Sequence, residues 1–156
     1  MNADPVVMAH FPSLLSADQS AAMVDRIVSH FEAEGFGLWA VEVPGVAPFI
    51  GFVGLQRVPF DAHFTPAVEV GWRLDPAHWG HGYATEGALA CLDLGFGPAA
   101  LEEIVSMTTP DNVRSQRVME RIGMHRDPAD DFDHPRLPEG HPLRRCVLYR
   151  LRPAER

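Results

Sequence analysis

The stretch VEVGWRLDPAHWGHGYAT, Val68 to Thr85, decides how this chain folds. Val68, Val70, Trp72 and Leu74 alternate with Glu69, Gly71 and Arg73, the period-two signature of a strand. Asp75-Pro76 breaks the pattern, because proline has no N–H for a ladder and restricts the residue before it. Gly80 and Gly82 follow, and then Ala84, Ala88, Cys91 and Leu92 recur at helical intervals. The stretch is therefore a strand, a glycine-punctuated loop and the start of a helix. A helix start presents backbone N–H groups without intrahelical partners and the positive end of the macrodipole. Glycines just before it let an anion, typically a phosphate, come close to the main chain.

Three phosphate-binding patterns compete for this loop. A P-loop needs a lysine after its second glycine. The chain contains no lysine, which excludes that pattern and a Schiff-base enzyme with it. A dinucleotide fingerprint wants its glycines tight against the strand end. Here Asp75 to Trp79 intervene, and Thr85 stands where a third glycine belongs. The third pattern is the pyrophosphate loop [Q/R]-x-x-G-x-[G/A] of the GNAT superfamily of acetyl-CoA-dependent N-acetyltransferases. Trp79-Gly80-His81-Gly82-Tyr83-Ala84 resembles it from Gly82 onward, with Trp79 where Gln or Arg is usual. The W-G-x-G-Y-A-T-E spelling is similar to the RimJ/RimL-like, ribosomal-protein N-terminal acetyltransferase branch.

At 156 residues the chain is expected to form one acetyltransferase domain, 1–156, with enough length to bury a core. No apolar run approaches the ~18 residues of a membrane helix, and the start, MNADPVVMAHF, has no basic n-region. The expectation is a cytoplasmic protein without a membrane partner. A net charge of −8 argues against a nucleic-acid partner and suits a cationic acceptor such as a protonated amine. All 13 basic side chains are arginine. Cys91 and Cys146 form no spaced motif and read as buried thiols. The eight histidines show no ligand spacing, so no metal is expected.

Ser16 opens a helix to about Glu34 with a capping box to Gln19, and Gly35 and Gly37 end it. Strands are expected over Leu38–Val43 and Pro48–Val58, then Val68–Leu74. A second helix runs from Tyr83 to about Phe96 and stops at Gly97-Pro98. Glu103–Thr108 is the next strand, and Asp111 is the expected N-cap of a helix over Asn112–Ile122. Met124–Arg126 and Arg145–Leu151 read as a final strand pair around a long Pro-, Asp- and His-rich excursion, Asp127 to Leu143. The order fits an α+β (mixed α/β) GNAT-like fold: a central, mostly antiparallel twisted sheet with helices on both faces. The resemblance also implies an opening strand and first helix, which this sequence lacks apart from a segment resembling the end of that helix, Met1 to Pro5.

A second set of residues supports the resemblance. Asn112-Val-Arg-Ser115-Gln-Arg-Val-Met119-Glu-Arg-Ile-Gly123-Met124 resembles the family's N-x-x-[A/S] helix beside the cofactor, whose Asn reaches the pantetheine arm. Many members carry a tyrosine acid where Met119 stands, so Ser115 is the candidate proton donor to the leaving thiolate. The resemblance implies direct attack of an amine on acetyl-CoA in a ternary complex, with main-chain N–H groups of Val70–Leu74 serving the carbonyl oxygen. Gly71 suggests a bulge there. Glu69 is the candidate base, directly or through water. The cofactor set is Trp72, Arg73, Leu74, Trp79, Gly80, His81, Gly82, Tyr83, Ala84, Thr85, Asn112 and Ser115.

In the family, the hairpin between the last two strands borders the acceptor. Asp131, Phe132, Asp133, His134 and Arg136 are the corresponding acceptor candidates, carboxylates beside an aromatic ring to receive a cationic amine. The expected function is acetyl transfer from acetyl-CoA to a primary amine, on a small molecule or a protein N-terminus, by a monomer or homodimer. The alternative is a GNAT-fold protein that binds or senses acyl-CoA without turnover, and a weaker one is a dinucleotide-binding oxidoreductase module.

Overall fold

The computed structural model describes residues 1–155. Residues 1–15 run as turns, and the first regular element is α1, Ala17–Glu34. Ser16 caps it with a complete capping box to Gln19, and left-handed Gly35 ends it at φ +76°. Strands β1 (Leu38–Val43) and β2 (Ala47–Arg57) form a hairpin, and β3 (Val68–Leu74) pairs with β2. Helix α2 (Tyr83–Phe96) leads to β4 (Ile104–Thr108), then α3 (Val113–Arg121), β5 (His125–Arg126), β6 (Phe132–Asp133) and β7 (Arg145–Leu151).

The strands make one seven-stranded sheet in the order β1-β2-β3-β4-β7-β5, with β6 also on β7. All pairs are antiparallel except β3–β4. A parallel neighbour needs a crossover, and α2 provides it.

Alternation along β3 separates the two faces of the sheet. Val68, Val70 and Leu74 join Leu92, Ile104, Met119 and Tyr149 in the main core, under α2 and α3. Glu69, Gly71 and Arg73 take the opposite face. There a second core forms from Phe64, Val105, Phe132, Cys146 and Leu148, roofed by loops, while α1 brings Met23 over Arg73. Both cysteines are free and buried, and burial pushes their thiols up to about 11.

Three local expectations change. Asn112, not Asp111, caps α3. Gly71 pairs with Gly54 in unbroken register, so no bulge forms there, and the sheet's irregularity lies between Val41 and Val43. The excursion after Arg126 is not structureless: a 3-10 turn at Pro128–Asp130 and strand β6 fold it back on β7.

Candidate active site

The site begins where two strands part. β3 and β4 pair only at Val68–Ile104 and Glu69–Val105. The Asp75 N–H donates to Ile50 O at 2.8 Å, and the Ser106 hydroxyl donates to Val70 O at 2.9 Å. These bonds set the alternation: peptide groups of Glu69, Gly71 and Arg73 turn to β2, and those of Val70, Trp72 and Leu74 turn to β4. Past Glu69 the ladder has ended, so the N–H groups of Trp72 and Leu74 point into the gap.

β3 then delivers the chain to an open helix end. The Asp75 carboxylate caps a 3-10 turn, Pro76–His78, by accepting from Ala77 N–H. Gly80 and Gly82 take φ of +80° and +89°, the left-handed region that disfavours side chains. Gly82 is the N-cap of α2 and supplies no side-chain bond, so the first N–H groups, on Tyr83, Ala84 and Thr85, stay open to an anion. The His81 ring stacks on Tyr83, centroids 5.6 Å apart. Trp79 is a brace: its indole N–H donates to Leu74 O at 2.8 Å, and Arg114 lies over its ring at 4.8 Å. It thereby ties the loop to the strand.

On α3, the Asn112 side chain accepts from Ser115 N–H and donates to Thr108 Oγ1 at 2.8 Å. Its first role is thus a cap. The Ser115 hydroxyl makes no hydrogen bond among the described residues and is free to act. Met119 is in the core.

Glu69 occupies the second face at the fork. The residue is half-buried by surface area, yet protein surrounds its carboxyl: Gln56 donates to it at 3.1 Å and Cys146 lies close enough to feel its charge. Lost hydration raises its pKa to about 7, against the lowering effect of the Gln56 bond. A carboxyl poised there exchanges protons near neutrality.

Two sets of predicted residues are not brought to these positions. Arg73 cannot join the α2 loop, because alternation sends its side chain to the other face, where Asn2, Met23, Phe11 and Phe52 surround it. Three carboxylates of the acidic excursion are already paired. Asp131 pairs with Arg126 through both oxygens, Asp130 with Arg150 at 2.6 Å, and Asp133 with Arg144 and Arg145. Phe132 is buried in the second core, so it offers no open ring to an amine. His134 stacks on Phe60 at 4.5 Å, and Arg136 donates to Pro59 O and covers the same ring. These residues hold the second-face roof together.

Ser106 is the residue that the sequence reading missed. Its signal was present: a lone hydroxyl in the apolar run Ile104-Val105-Ser106-Met107 must find a partner when buried.

A parted parallel strand pair, an open helix N-terminus at the end of one strand and a near-neutral carboxyl at the fork define an acyl-transfer fold. The chain belongs to the acetyltransferase (GNAT) domain family, whose model matches residues 1–125, and it is an acyl-CoA N-acetyltransferase by class. It is 34% identical over 122 residues to the uncharacterised protein YkkB of Bacillus subtilis, across 78% of this chain and 70% of that one. It is 34% identical over 94 residues to the FsC-acetyl coenzyme A-N(2)-transacetylase of Aspergillus fumigatus, across 58% of this chain and 39% of that enzyme. Among solved structures, it is similar to a GNAT-family acetyltransferase from Bacillus anthracis, with a TM-score of 0.76, 27% identity, and coverage of 97% of this chain and 84% of that one.

Proposed function

We propose that the protein transfers an acetyl group from acetyl-CoA to a primary amine, of a small molecule or a protein N-terminus, by direct attack within a ternary complex. The observation that carries this reading is the placement of Glu69, a carboxyl poised at about 7, at the point where β3 and β4 separate. Acetyl-CoA supplies an activated thioester carbonyl. The open α2 N-terminus and the left-handed Gly80 and Gly82 suit its pyrophosphate, and His81, Tyr83, Ala84 and Thr85 line that approach.

The chain's own residues divide the remaining work. Trp72 N–H, with Leu74 N–H beside it, points into the gap and stabilises charge developing on the carbonyl oxygen. Glu69 takes the proton that the attacking amine must lose, directly or through one water. Ser115 gives a proton to the departing thiolate, and recovers one from solvent. Asn112 holds the first turn of α3, which carries Ser115. The loop spelling supports the RimJ/RimL-like branch, and the absence of a membrane-spanning helix among the described residues supports a cytoplasmic setting.

The test is thiol release from acetyl-CoA with a panel of amines. The reading requires turnover with at least one amine and a product heavier by one acetyl group. A protein that binds CoA and never releases thiol is a sensor, and that result overturns the proposal. Ser115→Ala is expected to lower kcat while leaving CoA affinity near the native value.

A further inference from the structure

The second face of β3 carries an arginine with no charge partner. Arg73 lies four residues beyond Glu69 on the same face, about 13 Å away between Cα atoms at strand rise. Between them Gly71 leaves the sheet bare: a Cβ there would meet nothing closer than Glu69 Oε1, at 4.0 Å. The result is a short groove with the candidate base at one end and a guanidinium at the other.

Arg73 is held but not satisfied. Its Nη1 donates to Asn2 Oδ1 at 2.9 Å, and the Phe11 ring stacks on the guanidinium at 4.0 Å. Its Nε is buried and has no hydrogen-bond partner. Among the described residues no carboxylate lies within ion-pair distance of it, although 21 acidic residues are present in the chain. Six other arginines, Arg57, Arg126, Arg144, Arg145, Arg150 and Arg152, do have such partners. Burial without a counter-charge lowers the Arg73 pKa to about 10. With Nη1 committed to Asn2 and Nε enclosed, Nη2 is the guanidinium nitrogen left to meet a carboxylate.

We propose that Arg73 recognises a carboxylate on the acceptor, so that the substrate is a primary amine carrying its own carboxylate, an amino acid. The amine lies at Glu69 over Gly71, and its carboxylate meets Nη2 of Arg73. This rests on the acetyl-transfer reading above and adds the acceptor's class. It also reverses the expectation, drawn from net charge, of a purely cationic acceptor: the groove itself carries one site of each sign. The neutral Asn2 fixes the guanidinium without cancelling its charge, as an acidic side chain there would.

The experiment compares amines of matched length with and without a terminal carboxylate. One series runs from glycine to 6-aminohexanoate, and the controls are the corresponding alkylamines and 1,4-diaminobutane. Thiol release gives kcat/KM for each on the native protein, Arg73→Gln and Arg73→Lys. A carboxylate-bearing amine is expected to exceed its alkylamine by about tenfold or more, the worth of one hydrogen bond between charged groups. Arg73→Gln should collapse that ratio towards one, and Arg73→Lys, which keeps charge but not the planar group that Asn2 fixes, should fall between. CoA affinity by calorimetry should stay put in both variants. Equal or better turnover of the alkylamine or the diamine by the native protein overturns the inference and leaves acetyl transfer standing. If no amine is turned over, acetyl transfer fails, and calorimetry of the CoA-saturated protein with the amino acids decides this inference alone. Binding that Arg73→Gln abolishes upholds the carboxylate site, and no binding overturns it. Should Arg73→Gln fail to fold, the Arg73→Lys ratio decides: an unchanged preference overturns the assignment.

Discussion

The Ser106 hydroxyl donates to the Val70 carbonyl, 2.9 Å away, across two strands whose own ladder has already ended at Glu69 and Val105. Ser106 therefore supplies a side-chain rung where the backbone no longer can. It sets how far β3 and β4 stand apart at the site. Ser106→Ala leaves the buried Val70 oxygen without a partner and is expected to cost about 1–3 kcal/mol in urea unfolding. It should lower kcat more than it raises the KM for acetyl-CoA, because the Trp72 N–H loses its fixed position. A variant with native stability and native kcat would show that the strands part without help from Ser106.

Gly82→Val tests the anion cradle. A Cβ at Gly82 meets nothing within 4 Å, so crowding is not the obstacle. The φ of +89° is, and a β-branched residue there costs roughly 1–3 kcal/mol or relaxes the loop. Titration calorimetry should show CoA affinity reduced about tenfold or more with the far-UV spectrum unchanged. Undiminished affinity would move the pyrophosphate away from this loop.

Glu69 predicts a pH dependence in both activity and stability. The base must be deprotonated, so kcat/KM is expected to rise with pH through an apparent pKa of about 7 and to lose that limb in Glu69→Gln. The sign for stability is the reverse. Its pKa is raised from the ordinary 4.5 to about 7, so the folded state holds more protons than the unfolded one in that interval. Glu69 therefore supports stability most below about pH 4.5, and the support fades as pH climbs through 7. Thermal melts should show Glu69→Gln gaining on the native protein from pH 5 to pH 8. Parallel melting curves for the two would mean an ordinary, solvated carboxyl.

Asp131→Asn and Asp133→Asn should leave the acceptor KM alone. Arg126 holds the Asp131 carboxyl below its usual range, so its contribution is present at neutral pH and is lost only as pH falls through that lowered value. The Asp133–Arg145 pair is half exposed on both sides and is expected to contribute about 0.2–1 kcal/mol. A raised acceptor KM with unchanged melting temperature would put the excursion back into the substrate site.

Much of this architecture could be read from residue order. Glycines and prolines marked the ends of α1, α2 and β3, and period-two alternation identified β3, because those signals are local. The conformation of the α2 loop was legible for the same reason, since Gly80 and Gly82 announce its left-handed turns. The pairing of the acidic excursion was not legible, because charge on a sequence does not reveal its counter-charge. Arg144 and Arg145 meet Asp133 only once β6 folds back on β7, and Arg150 meets Asp130 across 20 residues. Arg73 differs: period two alone sets it on the face opposite Val70, but only the folded chain shows what surrounds it there. Asn2 and Arg73 are far apart in sequence, and no pattern couples them.

Helix α1 spans 18 residues and buries none of them fully, although Met23 roofs the Arg73 end of the groove. A helix held by so little apolar burial opens at a lower free-energy cost than the strands beneath it. Hydrogen–deuterium exchange should therefore release α1 amides well before those of β3 and β4. An acceptor gripping Arg73 would slow them, so entry and exit of substrate would be timed by the breathing of this helix while the catalytic strands stay closed.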